Sequence, residues 1–365
     1  MKIEKIDIYR FSIRIEPFAI ATGTMHFAQN VFIRVHAEGG LYGVGECSAF
    51  PMIVGETQET CLEMARNFAS IWKGKDALDI ESRLRDLDSF AAKNTTIKSA
   101  FDMALYDLAA KHAGVPLYRF LGGTKRAVET DMTIGIAETQ QMVDAAMRYK
   151  EQGARVLKIK LGKDAAEDVA RMKAIRKAVG EDMILRIDAN QGWSFDDALS
   201  ALKDMDRLNI QFCEQPMRTW YDDYLTLLRS ESPVRIMADE SCYNHHDARR
   251  LINSRSCDYL NIKLSKSGGI HEALKIHQLA SDEGMPCMIG TMLESRIALS
   301  ATLHLVYACP GITFFDLDSC LLGFLEDPVK DGLRYEGFFL DIDELPGIGA
   351  DADEAFLEKC EHWTI

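Results

Sequence analysis

No stretch of this sequence approaches the ~20 consecutive apolar residues that a membrane-spanning helix needs. Its opening, MKIEKIDIYRFSIRI, alternates charge with apolar residues and lacks the apolar run of a secretory signal. A cytoplasmic protein that does not engage a membrane is expected. Cations are scarce as well: 42 Lys and Arg stand against 56 Asp and Glu, a formal net charge of -14. Such a surface repels polyanions at long range, which argues against nucleic acid as a general partner. Cysteine occurs nine times but never as a close CxxC pair, so the spacing suits reduced thiols rather than a disulfide frame or a zinc site. A glycine-rich phosphate cradle is also missing, since SGGI at 267–270 is a lone short turn.

What is present suffices for two units. With 365 residues, 47% of them hydrophobic, the chain exceeds what one core usually serves, and a large domain plus a smaller one is expected. Alternation runs through Ile3–Ile15 and Val31–His36, with a hairpin signal at Gly39-Gly40 and Tyr42-Gly43. Helical periodicity follows from Ile97 to His112, after the caps Asn94 and Thr95 and before Gly114 and Pro116. We therefore expect an α+β capping domain over 1–125. Periodicity fails near 16–30 and 49–57, and these apolar segments with Gly and Pro read as lid loops.

From about Glu129 short apolar runs alternate with amphipathic stretches: VLKIKLG, MILRIDAN, IQFCEQP, VRIMADE, DYLNIKLSK, PCMIGTM and ITFFDLD. That alternation predicts parallel strands with crossover helices. The runs are closed by Lys160, Asp188, Glu214, Asp239, Lys266, Thr291 and Asp316, at intervals of 28, 26, 25, 27, 25 and 25 residues. With TDMTIG around Thr133 as a first strand, the fold class is α/β, a modified TIM barrel of the (β/α)7β kind over 126–320. The stretch 321–365 is expected to return to the capping domain as a tail.

The C-terminal ends of barrel strands converge on one mouth, where catalytic residues of such barrels gather. Asp188, Glu214 and Asp239 end consecutive strands, and three like charges so close need a cation among them. Oxygen-only ligation suits Mg²⁺, with Mn²⁺ as a substitute; a trio salt-bridged to Lys or Arg is the alternative. Asn190 would orient a ligand or a water. Lys160 and Lys266 fall half a turn apart around the ring and would flank the metal. Lys158, on the same strand face as Lys160, would help lower its pKa, unless both are solvated strand-end residues. Lys263 is a rival to Lys266, which we favour for its place before the glycine turn. Lysine bases working with Mg²⁺ are known from the enolase superfamily. Together these residues predict removal of a proton beside a carboxylate through an enediolate, and two opposed lysines imply inversion at that carbon.

KIK at 158–160, DANQGW at 188–193, EQP at 214–216, ADES at 238–241 and KLSKSGG at 263–269 resemble the signatures of the muconate-lactonising (mandelate racemase/muconate lactonizing enzyme) subgroup of the enolase superfamily, over nearly the whole chain. The resemblance implies Asp188, Glu214 and Asp239 as Mg²⁺ ligands and Lys160 and Lys266 as the acid/base pair. Asn190 and Glu240 would support the ligands, and Thr133, Lys158 and Met292 would contact substrate. FFDLDS places Asp316 and Asp318 like the DxD pair with which dipeptide epimerases hold an α-ammonium group. Two carboxylates facing a primary ammonium make physical sense. The alternative is a capped strand end paired to Arg296. The expected activity is epimerisation at the C-terminal residue of a dipeptide, as in L-Ala-D/L-Glu epimerases, by a homo-oligomer. An N-succinylamino acid racemase or o-succinylbenzoate synthase is the same-class rival; a sugar acid dehydratase lacks support because no histidine ends a strand. A barrel that binds a metal and a small molecule without turnover would not need both lysines. At the lid position where Ala-Glu epimerases carry an arginine this chain has Gly23, so an acidic preference does not carry over. Phe18, Met25, Met52 and Ile53 would form an apolar lid, or serve as core or interface residues.

Overall fold

The alternating apolar residues that open the chain build a long antiparallel hairpin. In the computed structural model, which describes residues 1–365, strand Ile3–Ile20 pairs with Gly23–Ala37, and that strand pairs with Tyr42–Ser48. A fourth strand, His362–Thr364, adds to the outer edge against Asp7–Tyr9, so the tail closes on the first strand. Helices Gln58–Trp72, Ile80–Phe90 and Thr95–His112 cover this sheet, and their core is built around Phe68, Trp72 and Phe101. Helix Thr95–His112 is buried along nearly its whole length. It lies so close to the third strand that a Cβ on Gly43 or Gly45 would stand 2.0 or 1.9 Å from a helix carbonyl oxygen. Only glycine permits that approach.

The barrel follows in eight parallel strands: Met132–Ile134, Val156–Lys160, Ile184–Asp188, Ile210–Glu214, Ile236–Ala238, Tyr259–Ile262, Cys287–Gly290 and Ile312–Asp316. Seven main crossover helices connect them, from Thr139–Glu151 to Arg296–Ala308, which is the (β/α)7β plan. Several of these helices begin with a capping side chain, among them Asp164, Ser194, Asn244 and Ser295; each cap contributes about 1 kcal/mol. The seam between the eighth and first strands is closed sparingly: Asp131 N donates to Phe315 O at 3.1 Å, and Thr130 Oγ1 accepts from Leu317 N at 2.8 Å. Because side chains alternate along a strand, the barrel interior is layered. Phe212, Met237 and Met288, packed against Tyr259 and Phe314, plug its centre, and the Arg186 guanidinium is held between the rings of Phe212 and Phe314, 5.2 Å from each. Two residues further along each strand, the polar layer begins.

The expectation of a lid loop at 16–30 is corrected. That segment is the tip of the hairpin, with Phe18 opposite Met25 and Ile20 opposite Gly23. Its period is hidden by an irregularity between Arg14 and Phe18, where Pro17 can donate no ladder hydrogen bond and the alternation changes phase. The segment 49–57 does contain irregular backbone, together with one helical turn, Pro51–Val54.

Candidate active site

Lys160, Asp188 and Glu214 are the last residues of the second, third and fourth strands, and Asp239 follows the fifth by one position. The strand period turns all four toward the axis, in a nearly dry layer: Asp188, Glu214 and Asp239 have no exposed surface. The Lys160 ammonium lies 2.7 Å from Asp188 Oδ2. Lys266 meets the trio from the other side, donating to Asp239 Oδ1 at 2.6 Å, to Asn261 O at 2.8 Å and to the Asp239 carbonyl. Lys266 does not end the sixth strand, as the spacing suggested. The strand stops at Ile262, and Lys266 rides a helical turn, Leu264–Ser267, closed by hydrogen bonds from Lys266 N and Ser267 N to Lys263 O. The two lysines nonetheless bracket the carboxylates, with Glu214 between.

Lys158 and Lys263 fill the gaps. The Lys158 ammonium stands 2.7 Å from both Glu214 Oε2 and Asp316 Oδ2 and 3.1 Å from Asp188 Oδ2. Lys263 is 2.8 Å from Asp239 Oδ2. Burial alone would lower the Lys158 ammonium, but Asp316, Glu214 and Asp188 outweigh it and hold it well above its usual value. Among the carboxylates, burial and the charge of Asp188 push Glu214 up to about 8. Burial also opposes ionisation of Asp239, yet Lys263 and Lys266 keep it below the usual carboxylate range. Glu240, buried behind Asp239 and Asp188, is raised to about 7.

The donor set tests the expected metal. Glu214 Oε2 and Asp239 Oδ2 are buried with no hydrogen bond of good geometry, only an ammonium close by. Asn190 Oδ1 and Glu240 Oε2 are unpartnered too. Buried carboxylate oxygens are the ligands that a hard divalent cation takes, so these residues fit one in donor type, with Lys158 and Lys263 beside two of the oxygens at 2.7 and 2.8 Å. Backbone strain gathers at the same place: Asn190, Gln191 and Gln215 have φ of 40°, 67° and 34°. Non-glycine residues adopt that region at a cost, and such positions concentrate at functional sites. Gln215 repays it by accepting from Asp239 N and Ser241 N at 2.9 and 3.1 Å, which fixes the chain on either side of Glu240.

A second acidic group faces the first across the mouth. Asp316 ends the eighth strand, Asp318 caps the turn Ser319–Leu321, and both lie close to Asp131. Asp318 Oδ2 accepts from Thr133 N at 2.6 Å, and Asp131 pairs with Arg186 at 2.7 Å. Burial with the charges of Asp316 and Asp131 lifts Asp318 well above the carboxylate range, and burial with Asp316 brings Asp131 to about 7. The alternative partner is excluded, for Arg296 binds Asp327 at 2.7 Å and three carbonyls of the tail.

Thr133, Lys160, Asn190, Thr291, Met292, Asp316 and Asp318 line one cleft. Lys158 and Lys266 lie beneath its surface. Of the four expected lid residues, Phe18 and Ile53 line it, Met25 is in the core and Met52 packs over Gly23. Asp131 and Asn261 were missed as site residues, and Lys263, weighed only as a rival to Lys266, lines the cleft beside Asp239. Asn261 donates to Glu214 Oε1 at 2.7 Å. Its spacing from Lys263 in NIK matches that of Lys158 from Lys160, a signal that was there to find.

A parallel (β/α)7β barrel with a buried carboxylate trio between two lysines, under an α+β cap, defines the enolase class of barrel enzymes. The chain belongs to the mandelate racemase/muconate lactonizing enzyme family: that family's N-terminal domain matches residues 5–122 and the enolase C-terminal domain-like model matches 141–356. It is 40% identical to the D-Ala-D/L-Ala epimerase of Cytophaga hutchinsonii over all of both chains. It is 37% identical to the L-Ala-D/L-Glu epimerase of Clostridium acetobutylicum, over 96% of this chain and 98% of that one. Among solved structures, the Cytophaga hutchinsonii dipeptide epimerase complexed with Mg and the dipeptide D-Ala-L-Val superposes with a TM-score of 0.98 at 40% identity, over 100% of each chain.

Proposed function

We propose that this chain is a dipeptide epimerase that inverts the α-carbon of the C-terminal residue by 1,1-proton transfer between Lys160 and Lys266. The observation that carries this reading is the pairing of two sites across one cleft: lysines bracketing buried carboxylates on one side, and Asp316 with Asp318 on the other. A substrate whose carboxylate turns toward the trio and whose ammonium meets Asp316 and Asp318 brings its α-carbon between the lysines. One lysine then takes the α-proton and the other delivers a proton to the opposite face. Asp188, Glu214 and Asp239 would hold a divalent cation such as the Mg of the relative, which when bound would supply positive charge beside the substrate carboxylate. Asn190 and Glu240 steady that site, and Thr133, Lys158 and Met292 help seat the substrate. We assign the cap to 1–125, the barrel to 126–320 and the returning tail to 321–365. Nine unpaired thiols suit the cytoplasm, and the exposed Trp220, Tyr221 and Tyr224 suit a homo-oligomer.

The rival substrate, an N-succinylamino acid, carries a carboxylate where the dipeptide carries an ammonium. Comparing deuterium uptake from D₂O by an L-Ala-X dipeptide and by the N-succinyl derivative of the same amino acid X tests the choice. Exchange confined to the dipeptide is expected; preference for the N-succinylamino acid would transfer the chain to the racemases.

A further inference from the structure

The two relatives above act on different C-terminal residues, alanine and glutamate, so likeness does not name the side chain that this cleft accepts. Its walls do. All of the charge lies on the barrel floor, whereas the cover is apolar: Phe18, Ile20, Phe50, Ile53, Leu293 and Leu322. No arginine lines the cleft, and its two lysines are engaged at the floor, Lys160 with Asp188 at 2.7 Å and Lys263 with Asp239 at 2.8 Å.

The cover is held in two places by hydrogen bonds. The hairpin tip is clamped to both strands that flank the acidic pair: Ile136 N donates to Ala19 O at 3.1 Å after the first strand, and Glu16 N to Gly323 O at 2.8 Å after the eighth. That seats Phe18 and Ile20 over the Asp316 and Asp318 side. The turn Pro51–Val54 is fixed elsewhere, by Tyr243, whose hydroxyl donates to Ile53 O at 2.6 Å. The Tyr243 ring centre lies 5.9 Å from the Lys266 ammonium, so Ile53 stands on the Lys266 side. At the hairpin tip, a Cβ on Gly23 would meet Met52 Sδ at 2.0 Å; methionine fills the space through which a side chain from the tip could reach inward.

We propose, resting on the epimerase reading above, that the substrates are dipeptides with apolar side chains at both residues. The N-terminal side chain packs under Phe18, Ile20 and Leu322, and the epimerised one under Phe50, Ile53 and Leu293. A glutamate at the epimerised position would lose the hydration of its carboxylate and gain no cation in return.

The test is α-deuterium uptake at the C-terminal residue by the wild-type enzyme with Mg²⁺, comparing L-Ala-L-Leu, L-Ala-L-Phe, L-Ala-L-Glu and L-Ala-L-Lys. A site that leaves a buried charge unpaired discriminates by about 100-fold or more, so kcat/KM for Leu and Phe is expected to exceed that for Glu and Lys by that margin. Ile53→Lys, which puts a cation into the cover, should narrow the Leu to Glu ratio by about 10-fold. Equal or better turnover of L-Ala-L-Glu by the wild type would overturn the side-chain assignment and leave epimerisation standing. Uptake from none of the four, with the fold intact, would overturn both.

Discussion

Two groups of buried carboxylates share the barrel mouth, and they differ in their neighbours. Asp188, Glu214 and Asp239 are interleaved with Lys158, Lys160, Lys263 and Lys266. Asp131, Asp316 and Asp318 have Arg186 and a share of Lys158. In the first group Asp188 and Asp239 are driven below the usual carboxylate range and Glu214 alone is raised, whereas in the second Asp318 and Asp131 are raised and Asp316 is lowered beside Lys158. One residue type thus serves two tasks according to where the strands deliver cations. The first group is rich in both signs and suits a divalent metal with proton-transferring lysines. The second is short of positive charge and suits a substrate ammonium.

The lysines offer the strongest way to break this contrast. Lys160→Ala or Lys266→Ala should lower kcat for epimerisation by about 10³-fold, within the usual range for loss of an acid/base group, while circular dichroism shows the fold retained. If either variant kept a tenth of wild-type turnover, that lysine would not transfer the proton. Removal of divalent ions by a chelator should also abolish turnover, with Mg²⁺ restoring it and raising the melting temperature through binding to the native state; a temperature unmoved by Mg²⁺ would empty the first group of its role. The second group is probed more gently. Asp318→Asn keeps an acceptor for Thr133 N but removes the group that can ionise against a substrate ammonium. Its KM should rise roughly 10- to 100-fold, the worth of one charged hydrogen bond, with kcat changed far less. An unchanged KM would mean that Asp318 serves only the barrel seam.

A further effect, on stability rather than on turnover, is expected outside both groups. His304 links barrel, cap and tail, accepting from Tyr118 N on Nδ1 and facing Ile348 O with Nε2, each at 3.2 Å. Burial lowers it from 6.5 to about 4, and its acceptor role on Nδ1 demands the neutral ring. With the folded value depressed, its stabilisation is complete above pH ~6.5 and is lost as pH falls toward ~4, by up to about 3 kcal/mol. Denaturant titrations of the wild type and His304→Asn should differ in slope across that window, and parallel curves would contradict the assignment.

Much of the contrast was legible before folding, because the C-terminal ends of barrel strands converge on one mouth. The residues closing the apolar runs therefore carried both the period of the barrel and the members of the site. Asp188, Glu214, Asp316 and Lys160 ended strands for that reason. Lys266 did not, since distinguishing a strand end from the helical turn after it depends on local backbone bonds that LSKS does not advertise. Lys158 was read as a source of positive field, but its enclosure by three carboxylates follows from neighbours 30 to 158 positions away in the chain. Asp131 precedes a strand instead of closing one, and closure of the seam alone brings it to Asp316. The hairpin tip was hidden by Pro17, whose break in alternation looks the same for a bulge as for a loop.

The most direct test is proton NMR of an L,L-dipeptide incubated with enzyme and Mg²⁺ in D₂O. If Lys160 and Lys266 act from opposite faces, the C-terminal α-proton signal should disappear as the L,D diastereomer grows in with deuterium at that carbon. Exchange that only ever returned the L,L form would contradict inversion, and no exchange at all would contradict proton transfer at this site.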